Sequence, residues 1–223
     1  MHPGRSIALL IGASVLLSAC STTSAPSSAD SSGSPAGTVT AAPAASSPAA
    51  SSPGARAKLS AADLQGSWWT WAASSVSESN PVSDPDGHLC AQGQEDGIWF
   101  LAGTFGGTVT RTCTVPASAP VAFPLVNMIG EEDDCTAFMA SAQGKAVLDG
   151  RALEPERYEA TDVRFVAVDG NPLTKDGGRF LTHGCGLWVQ LEPLAPGSHT
   201  LSIRGASGSF AVGVNYKLQV SAG

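Results

Sequence analysis

The amino-acid sequence predicts a mainly β fold: an antiparallel β-sandwich or jelly-roll-like domain with one or two short helices, preceded by a signal peptide and a disordered linker. Three observations carry this prediction. Short apolar segments recur along the second half of the chain, turn-forming Asp-Gly, Gly-Gly and Pro-Gly pairs separate them, and residues 21–57 are almost entirely Ser, Ala, Pro, Thr and Gly. Many short strands at regular spacing are typical of sandwiches and jelly rolls.

Composition divides the 223 residues into three parts. We expect a signal peptide at residues 1–19, Cys20 followed by a disordered tether to residue 57, and a single globular domain over residues 58–223, long enough to bury a core. After position 20 the chain carries eleven Lys and Arg against nineteen Asp and Glu. This acidic balance argues against nucleic acid as a partner and against electrostatic adhesion to anionic lipid.

The N-terminus has the pattern of an export signal. Arg5 supplies a positive charge, and residues 7–17 form an apolar run that is too short to span a bilayer. Leu17-Ser-Ala-Cys20 follows directly and resembles the lipobox of bacterial lipoproteins, in which the cysteine thiol takes a diacylglyceryl group. The alternative is an ordinary secretory signal with a chance cysteine. We expect Cys20 to hold the protein through lipid on the extracytoplasmic face of the cell membrane.

Four further cysteines, Cys90, Cys113, Cys135 and Cys185, predict two disulfides in an exported chain. Three pairings are open. We favour Cys90–Cys113 and Cys135–Cys185, because the first two flank what looks like one hairpin. No pair has the C-x-x-C spacing of a zinc site, so we predict neither a metal nor a cofactor.

The first predicted element is a helix within residues 59–73, with Ser60 as its N-cap. Trp68 and Trp71 fall on one helical face, and we expect them to pack against a sheet. Trp69 is then left at the rim. The alternative interpretation of the three tryptophans is sugar stacking or insertion into a membrane.

Turns and strands follow in order. Asp84-Pro-Asp86-Gly87 is interpreted as an Asp-Gly turn in preference to the start of a calcium loop. Gly106-Gly107 predicts the turn of a first hairpin, and Pro124 predicts an edge strand or a bulge. The predicted strands are residues 97–103, 108–113, 121–127, 145–148, 163–168, 187–191, 198–204 and 212–220.

The connections carry specific expectations. Asp133 or Asp134 is expected to cap a second helix that runs to about Ala142. Asp149-Gly150 and the Asp-Gly pair at 169–170 each predict a hairpin turn, and residues 193–197 predict a tight link between later strands.

Several of these residues form a series of short motifs in a fixed order. Asn80-Pro-Val-x-Asp84, Gly93-Gln94, Trp99-Phe-Leu-Ala-Gly103 and Phe123-Pro-Leu-x-Asn127 follow a Trp-rich helix. This order is similar to that of a group of uncharacterised exported bacterial lipoproteins of actinobacterial type. The resemblance covers nearly the whole predicted domain, continuing to Pro193-Leu-x-Pro-Gly. It implies export and carries no activity with it.

Catalytic motifs are missing from the sequence: it has no G-x-S-x-G elbow, no H-E-x-x-H and no phosphate loop. Two hypotheses remain. The first is a non-enzymatic surface module, which is structural or binds an envelope glycan or protein. Exposure of Trp69 or Trp188 on a shallow sheet face would favour this hypothesis. The second is an extracellular hydrolase assembled around His183, in the glycine-flanked segment 182–186. A cleft holding His183 beside an acid would favour the enzyme.

Overall fold

Nine strands, two α-helices and a short 3-10 helix, Ser77–Ser79, are the regular elements of the part of the chain that the computed structural model describes, residues 58–221. The predicted mainly β class with two short helices is confirmed for this range. The signal peptide, Cys20 and the tether lie outside the described residues. The elements are α1 Ala61–Ala72, β1 Trp99–Phe100, β2 Gly107–Pro116, β3 Val121–Gly130, α2 Glu132–Ser141, β4 Gln143–Leu148, β5 Arg151–Leu153, β6 Glu156–Ala167, β7 Gly178–Leu191, β8 Gly197–Ser207 and β9 Phe210–Ser221.

The strands form two sheets. Sheet A has the order β1-β3-β7-β6 and sheet B the order β2-β9-β8-β4-β5. The expected sandwich is present, but both sheets are mixed where antiparallel pairing was expected, because β1 runs parallel to β3 and β2 runs parallel to β9. The other strand pairs are antiparallel.

The predicted first hairpin is wrong. β1 joins sheet A and β2 joins sheet B, so the two segments never pair with each other. The backbone after β1 does not pair with β2, because the carbonyl oxygens of Ala102 and Gly103 accept hydrogen bonds from the Arg111 guanidinium instead. The positive φ angles of Gly106 and Gly107, 120° and 76°, turn the chain into β2.

Alternate residues of β7 face two different cores. Cys185, Leu187 and Val189 belong to the core between the two sheets. Trp188 belongs to a second core between sheet A and α1, where its ring lies 5.7 Å from that of Trp68 in an edge-to-face arrangement. The period of two along the strand therefore gives an α/β/β layering in which α1 covers the outer face of sheet A.

The helix caps agree with the sequence in one case and differ in the other. The Ser60 hydroxyl accepts from the backbone N–H of Asp63, so the predicted N-cap of α1 is confirmed. The N-cap of α2 is Glu131, and not Asp133 or Asp134. Asp134 instead stands at the third helical position, where its carboxylate accepts from the backbone N–H of Glu131 and completes a capping box.

Turn chemistry decides which Asp-Gly pair makes a hairpin. Asp149-Gly150, with φ angles of 49° and 81°, joins β4 to β5 as predicted. The pair at 169–170 does not form a tight turn, because β6 and β7 are joined by the longer loop 168–177. The Asn171 side chain organises that loop: its Nδ2 donates to the carbonyl oxygen of Val168, and its Oδ1 accepts from the N–H of Leu173.

Two disulfides join segments that are distant in the chain, and their pairing is the one favoured from the sequence. Cys90–Cys113 ties the loop before β1 to β2, and Cys135–Cys185 ties α2 to β7. The predicted irregularity at Pro124 is a bulge, seen as a register shift between Pro124 and Val126 in a strand that has neighbours on both sides. Among the described residues, no helix is both long and apolar enough to cross a membrane.

Candidate functional site

The two tryptophans proposed to meet a ligand are buried. Trp69 is 6% exposed and Trp188 is 0% exposed, so neither offers a ring face to solvent. The expectation that Trp69 lies at the rim is wrong because α1 also runs along strand β6. The backbone N–H of Val166 donates to the Thr70 hydroxyl and that of Val168 donates to the carbonyl oxygen of Ala73, which covers this side of the helix.

His183 lies within strand β7, opposite Asp162 of β6, and not in a loop. Its Nε2 stands 3.2 Å from a carboxylate oxygen of Asp162, whose side chain is 85% exposed. The structure thus brings an acid within reach of His183, but on an open strand pair. The neighbouring Cys185 is held in a disulfide. Asp162 lines a groove on α1 but His183 does not, so the structure does not place the histidine inside the cleft that the hydrolase hypothesis requires.

The Asp84 turn is structural. Asp84 is buried, and its carboxylate accepts from the backbone N–H groups of Asp86, Gly87 and Leu89. Asp84, Asp86 and His88 bring three possible ligand atoms together, but the backbone donors and the His88 ring already occupy the two carboxylates. The Asp86 carbonyl accepts from the N–H of Thr112, so this turn covers the free edge of β2.

His199 joins two turns. Its Nδ1 lies 2.6 Å from a carboxylate oxygen of Asp149 and its Nε2 lies 2.8 Å from the carbonyl oxygen of Ala195. Both neighbours accept hydrogen bonds, so the ring satisfies both only as an imidazolium. The hydrogen bond to Asp149, and then the one to Ala195, raise the pKa of His199. The backbone N–H of Thr200, followed by His199, lowers the pKa of Asp149.

Among the described residues, a groove of about 950 Å³ is built on α1. The solvent-facing side of the helix, including Asp63 and Ser67, forms its floor. One wall is the segment 93–98 with Pro120 and the end of β7, and the other wall is β6 at Asp162 and Arg164. The sequence analysis did not identify this groove. The signal that marks it is a polar stripe on the helix at positions 63, 67, 70 and 74, with the spacing of one helical face.

A hydrogen-bonded network closes one end of the groove. The Gln190 amide pairs with the backbone of Leu59 in both directions, accepting from its N–H at 2.9 Å and donating to its carbonyl oxygen at 3.1 Å. Lys58 Nζ and the Tyr158 hydroxyl each donate to Glu156, at 2.5 and 2.6 Å. The Lys58 ammonium, then Tyr158, lowers the pKa of Glu156, while burial and then Glu156 raise the pKa of Tyr158 to about 12.

The groove combines apolar walls with an excess of negative charge. Partly exposed Leu59, Ile98 and Leu191 supply apolar surface. Of the residues that the structure describes, five carboxylates line the groove against two cations, Lys58 and Arg164. A pocket of mixed apolar and polar lining is typical of sites that bind molecules, and this charge balance disfavours anionic ligands.

No family model, curated protein or solved structure matches the chain.

Proposed function

We propose that this protein is a lipid-anchored lipoprotein of the extracytoplasmic face whose domain is a non-enzymatic binding module of the cell envelope. The α1 groove is its ligand site. The observation that carries the proposal is the groove itself, about 950 Å³ in volume, with apolar walls and polar groups converging on one helix face. Its ligand is an envelope glycan or protein.

The anchor rests on the sequence and on the disulfides. Leu17-Ser-Ala-Cys20 follows an apolar run, as a lipobox does. Two disulfides in the described domain fit an oxidising compartment, which is where an exported chain resides. A diacylglyceryl group would hold the protein at the membrane more firmly than one acyl chain.

Binding is favoured over hydrolysis by the chemistry of the groove. Among its described lining residues there is no histidine and no cysteine. His183, the residue on which the hydrolase hypothesis depends, does not line it. Serine-type catalysis usually relies on a histidine base beside the hydroxyl, and the described lining offers none to a hydroxyl such as that of Ser67.

The anchor is tested by mass spectrometry of the protein purified from its native membrane. We expect an N-terminal fragment that begins at Cys20 and carries acyl chains. A retained leader, or a fragment that starts elsewhere without lipid, would overturn this part of the proposal.

The site is tested by photo-crosslinking of the full-length lipoprotein in intact cells. A photoreactive residue at Ser67, on the groove floor, is compared with one at Ala137, an exposed position on α2 away from the groove. We expect a defined adduct from position 67 and none from position 137. Equal labelling at both positions, or labelling at neither, would contradict the assignment of the groove.

A further inference from the structure

We propose that the groove takes a positively charged, extended polypeptide segment of another protein. This inference rests on the proposed function, since it names the ligand class of the same site. It is carried by the charge of the walls, by the seam between α1 and β6, and by the burial of the aromatic rings.

The charges of the groove are strongly one-sided. Of its two cations, Lys58 is already held by Glu156 at 2.5 Å. Among the described lining residues, Arg164 is then the remaining cation against five carboxylates, of which Asp162 lies 3.2 Å from the His183 ring. A ligand that carries Lys or Arg side chains would neutralise this excess, whereas a phosphate-rich polymer or a nucleic acid would meet repulsion.

The seam between α1 and β6 places two of these carboxylates together. Gly66 contacts Arg164, Thr70 bonds to residue 166 and Ala73 bonds to residue 168, so helix and strand run in the same direction. Asp63 precedes Gly66 by three helical residues, about 4.5 Å along the helix axis, and Asp162 precedes Arg164 by two strand residues, about 6.6 Å along the strand. The two acids therefore reach nearly the same level of the groove from its floor and its wall.

The opposite wall adds negative charge to the same channel. Glu95 and Asp96 follow Gly93 in the segment that faces β6 across the helix. A cationic side chain in the groove would thus find carboxylates on its floor and on both of its walls. This is the charge complementarity that the proposal requires of its occupant.

The aromatic rings argue against a glycan. Sugars bind to tryptophan and other aromatic residues through exposed ring faces, but Trp71 is 5% exposed and Phe100 is 6% exposed. The Trp71 indole N–H is also taken, since it donates to the carbonyl oxygen of Gln92. The partly exposed aliphatic residues of the walls, Leu59, Ile98 and Leu191, suit the apolar side chains of an extended peptide.

The test uses the full-length lipoprotein in nanodiscs and isothermal titration calorimetry. The probes are a ten-residue peptide of alternating Lys and Val, the same peptide with Glu in place of Lys, and chitotetraose as a neutral glycan. We expect the Lys peptide alone to bind, with an affinity that falls as salt is added. Preference for the Glu peptide or for chitotetraose would overturn the inference.

A matched pair of variants separates the groove from overall charge. The groove variant carries Glu95→Gln, Asp96→Asn and Asp162→Asn; the control carries Glu132→Gln, Asp133→Asn and Asp176→Asn, with the same change of net charge at exposed positions outside the groove. We expect the affinity for the Lys peptide to fall about tenfold in the groove variant and less than about twofold in the control. Equal losses would overturn the inference.

Failure of this inference is distinguishable from failure of the proposed function. Binding of chitotetraose that Ser67→Trp abolishes would overturn the cationic polypeptide and support a ligand site in the groove. Absence of a position-specific adduct at 67 in cells, together with no binding of any probe, would overturn both.

Discussion

A Cβ atom added to Gly66 would stand 2.6 Å from the carbonyl oxygen of Arg164. Helix α1 and strand β6 therefore touch backbone to backbone at this point, and only a residue without a side chain permits the approach. The contact matters for the groove, because it sets the distance between the helix that forms the floor and the strand that forms one wall.

Gly66→Ala is expected to lower the free energy of unfolding by up to about 2 kcal/mol. Alanine favours a helix over glycine by about 1 kcal/mol, but overpacking costs about 1–3 kcal/mol, and here the obstacle is a backbone oxygen that cannot rotate away. Urea unfolding measures the change.

The matched control is Ser67→Ala, at the next and solvent-exposed position of the same helix. It should change stability by less than about 0.5 kcal/mol. If Gly66→Ala were more stable than the unmodified protein, the close contact between α1 and β6 would be refuted.

Much of the fold was predictable because its signals are local. The Ser60 cap, the Asp149-Gly150 turn and the bulge at Pro124 each depend on residues within a few positions of one another. The observed disulfide pairing is the one that the sequence analysis favours. The reason given for it is wrong, however, since Cys90 and Cys113 do not flank a hairpin.

The site was not predictable because its determinants are distant in sequence. Trp69 is covered where α1 meets β6, nearly a hundred residues later in the chain, and no local pattern reports that contact. Trp188 falls in an alternating strand, but alternation does not say which layer lies above it. The floor of the groove is a polar helix stripe that reads as ordinary solvent-exposed surface until its two walls are seen.

Replacing Arg111 is expected to be among the most destabilising single changes. The side chain is 1% exposed and donates to the carbonyl oxygens of Val82, Asp84, Ala102 and Gly103 and to the Tyr216 hydroxyl. One guanidinium thus holds two segments of the irregular region between α1 and β2 against the sheet.

Arg111→Met would leave these buried carbonyls without their donor, and we expect a loss of about 3–5 kcal/mol in unfolding free energy. Arg111→Lys should recover part of it, since an ammonium keeps the charge but not the planar set of five donors. Arg151→Met, at an exposed position of β5, is the control and should have little effect. A loss below about 1 kcal/mol for Arg111→Met would contradict the role assigned to Arg111.

The His199–Asp149 pair predicts a pH dependence of stability. Because the pKa of His199 is raised in the folded state, its contribution is complete below the ordinary value of 6.5 and disappears as the pH rises through the folded pKa. Because the pKa of Asp149 is lowered, its contribution is present above 3.8 and disappears as the pH falls below that value.

Urea unfolding of the unmodified protein and of His199→Gln, repeated across neutral pH, measures this effect. The stability advantage of the unmodified protein should be largest between the two ordinary pKa values and should shrink as the pH rises above 6.5. A constant or rising advantage above that pH would show that the ring is not held as an imidazolium.

Two glutamines near α1 should respond in opposite ways to the same substitution. Gln65 is 0% exposed, and neither its amide oxygen nor its amide nitrogen has a hydrogen-bond partner among the described residues. Gln190 bonds to the N–H and the carbonyl oxygen of Leu59 and donates to the Tyr158 hydroxyl. Methionine nearly matches glutamine in shape and in helix propensity, so the exchange isolates the amide.

Gln65→Met should raise the free energy of unfolding by about 1 kcal/mol, because it removes an unpaired buried amide without opening a cavity. Gln190→Met should lower it by about 1–2 kcal/mol, because it frees the backbone groups of Leu59 at the end of the groove. Both changes are measured by urea unfolding under one set of conditions. A loss of stability in Gln65→Met as large as that in Gln190→Met would contradict this prediction. It would mean that the Gln65 amide has a hydrogen-bond partner in solution, where α1 packs on sheet A.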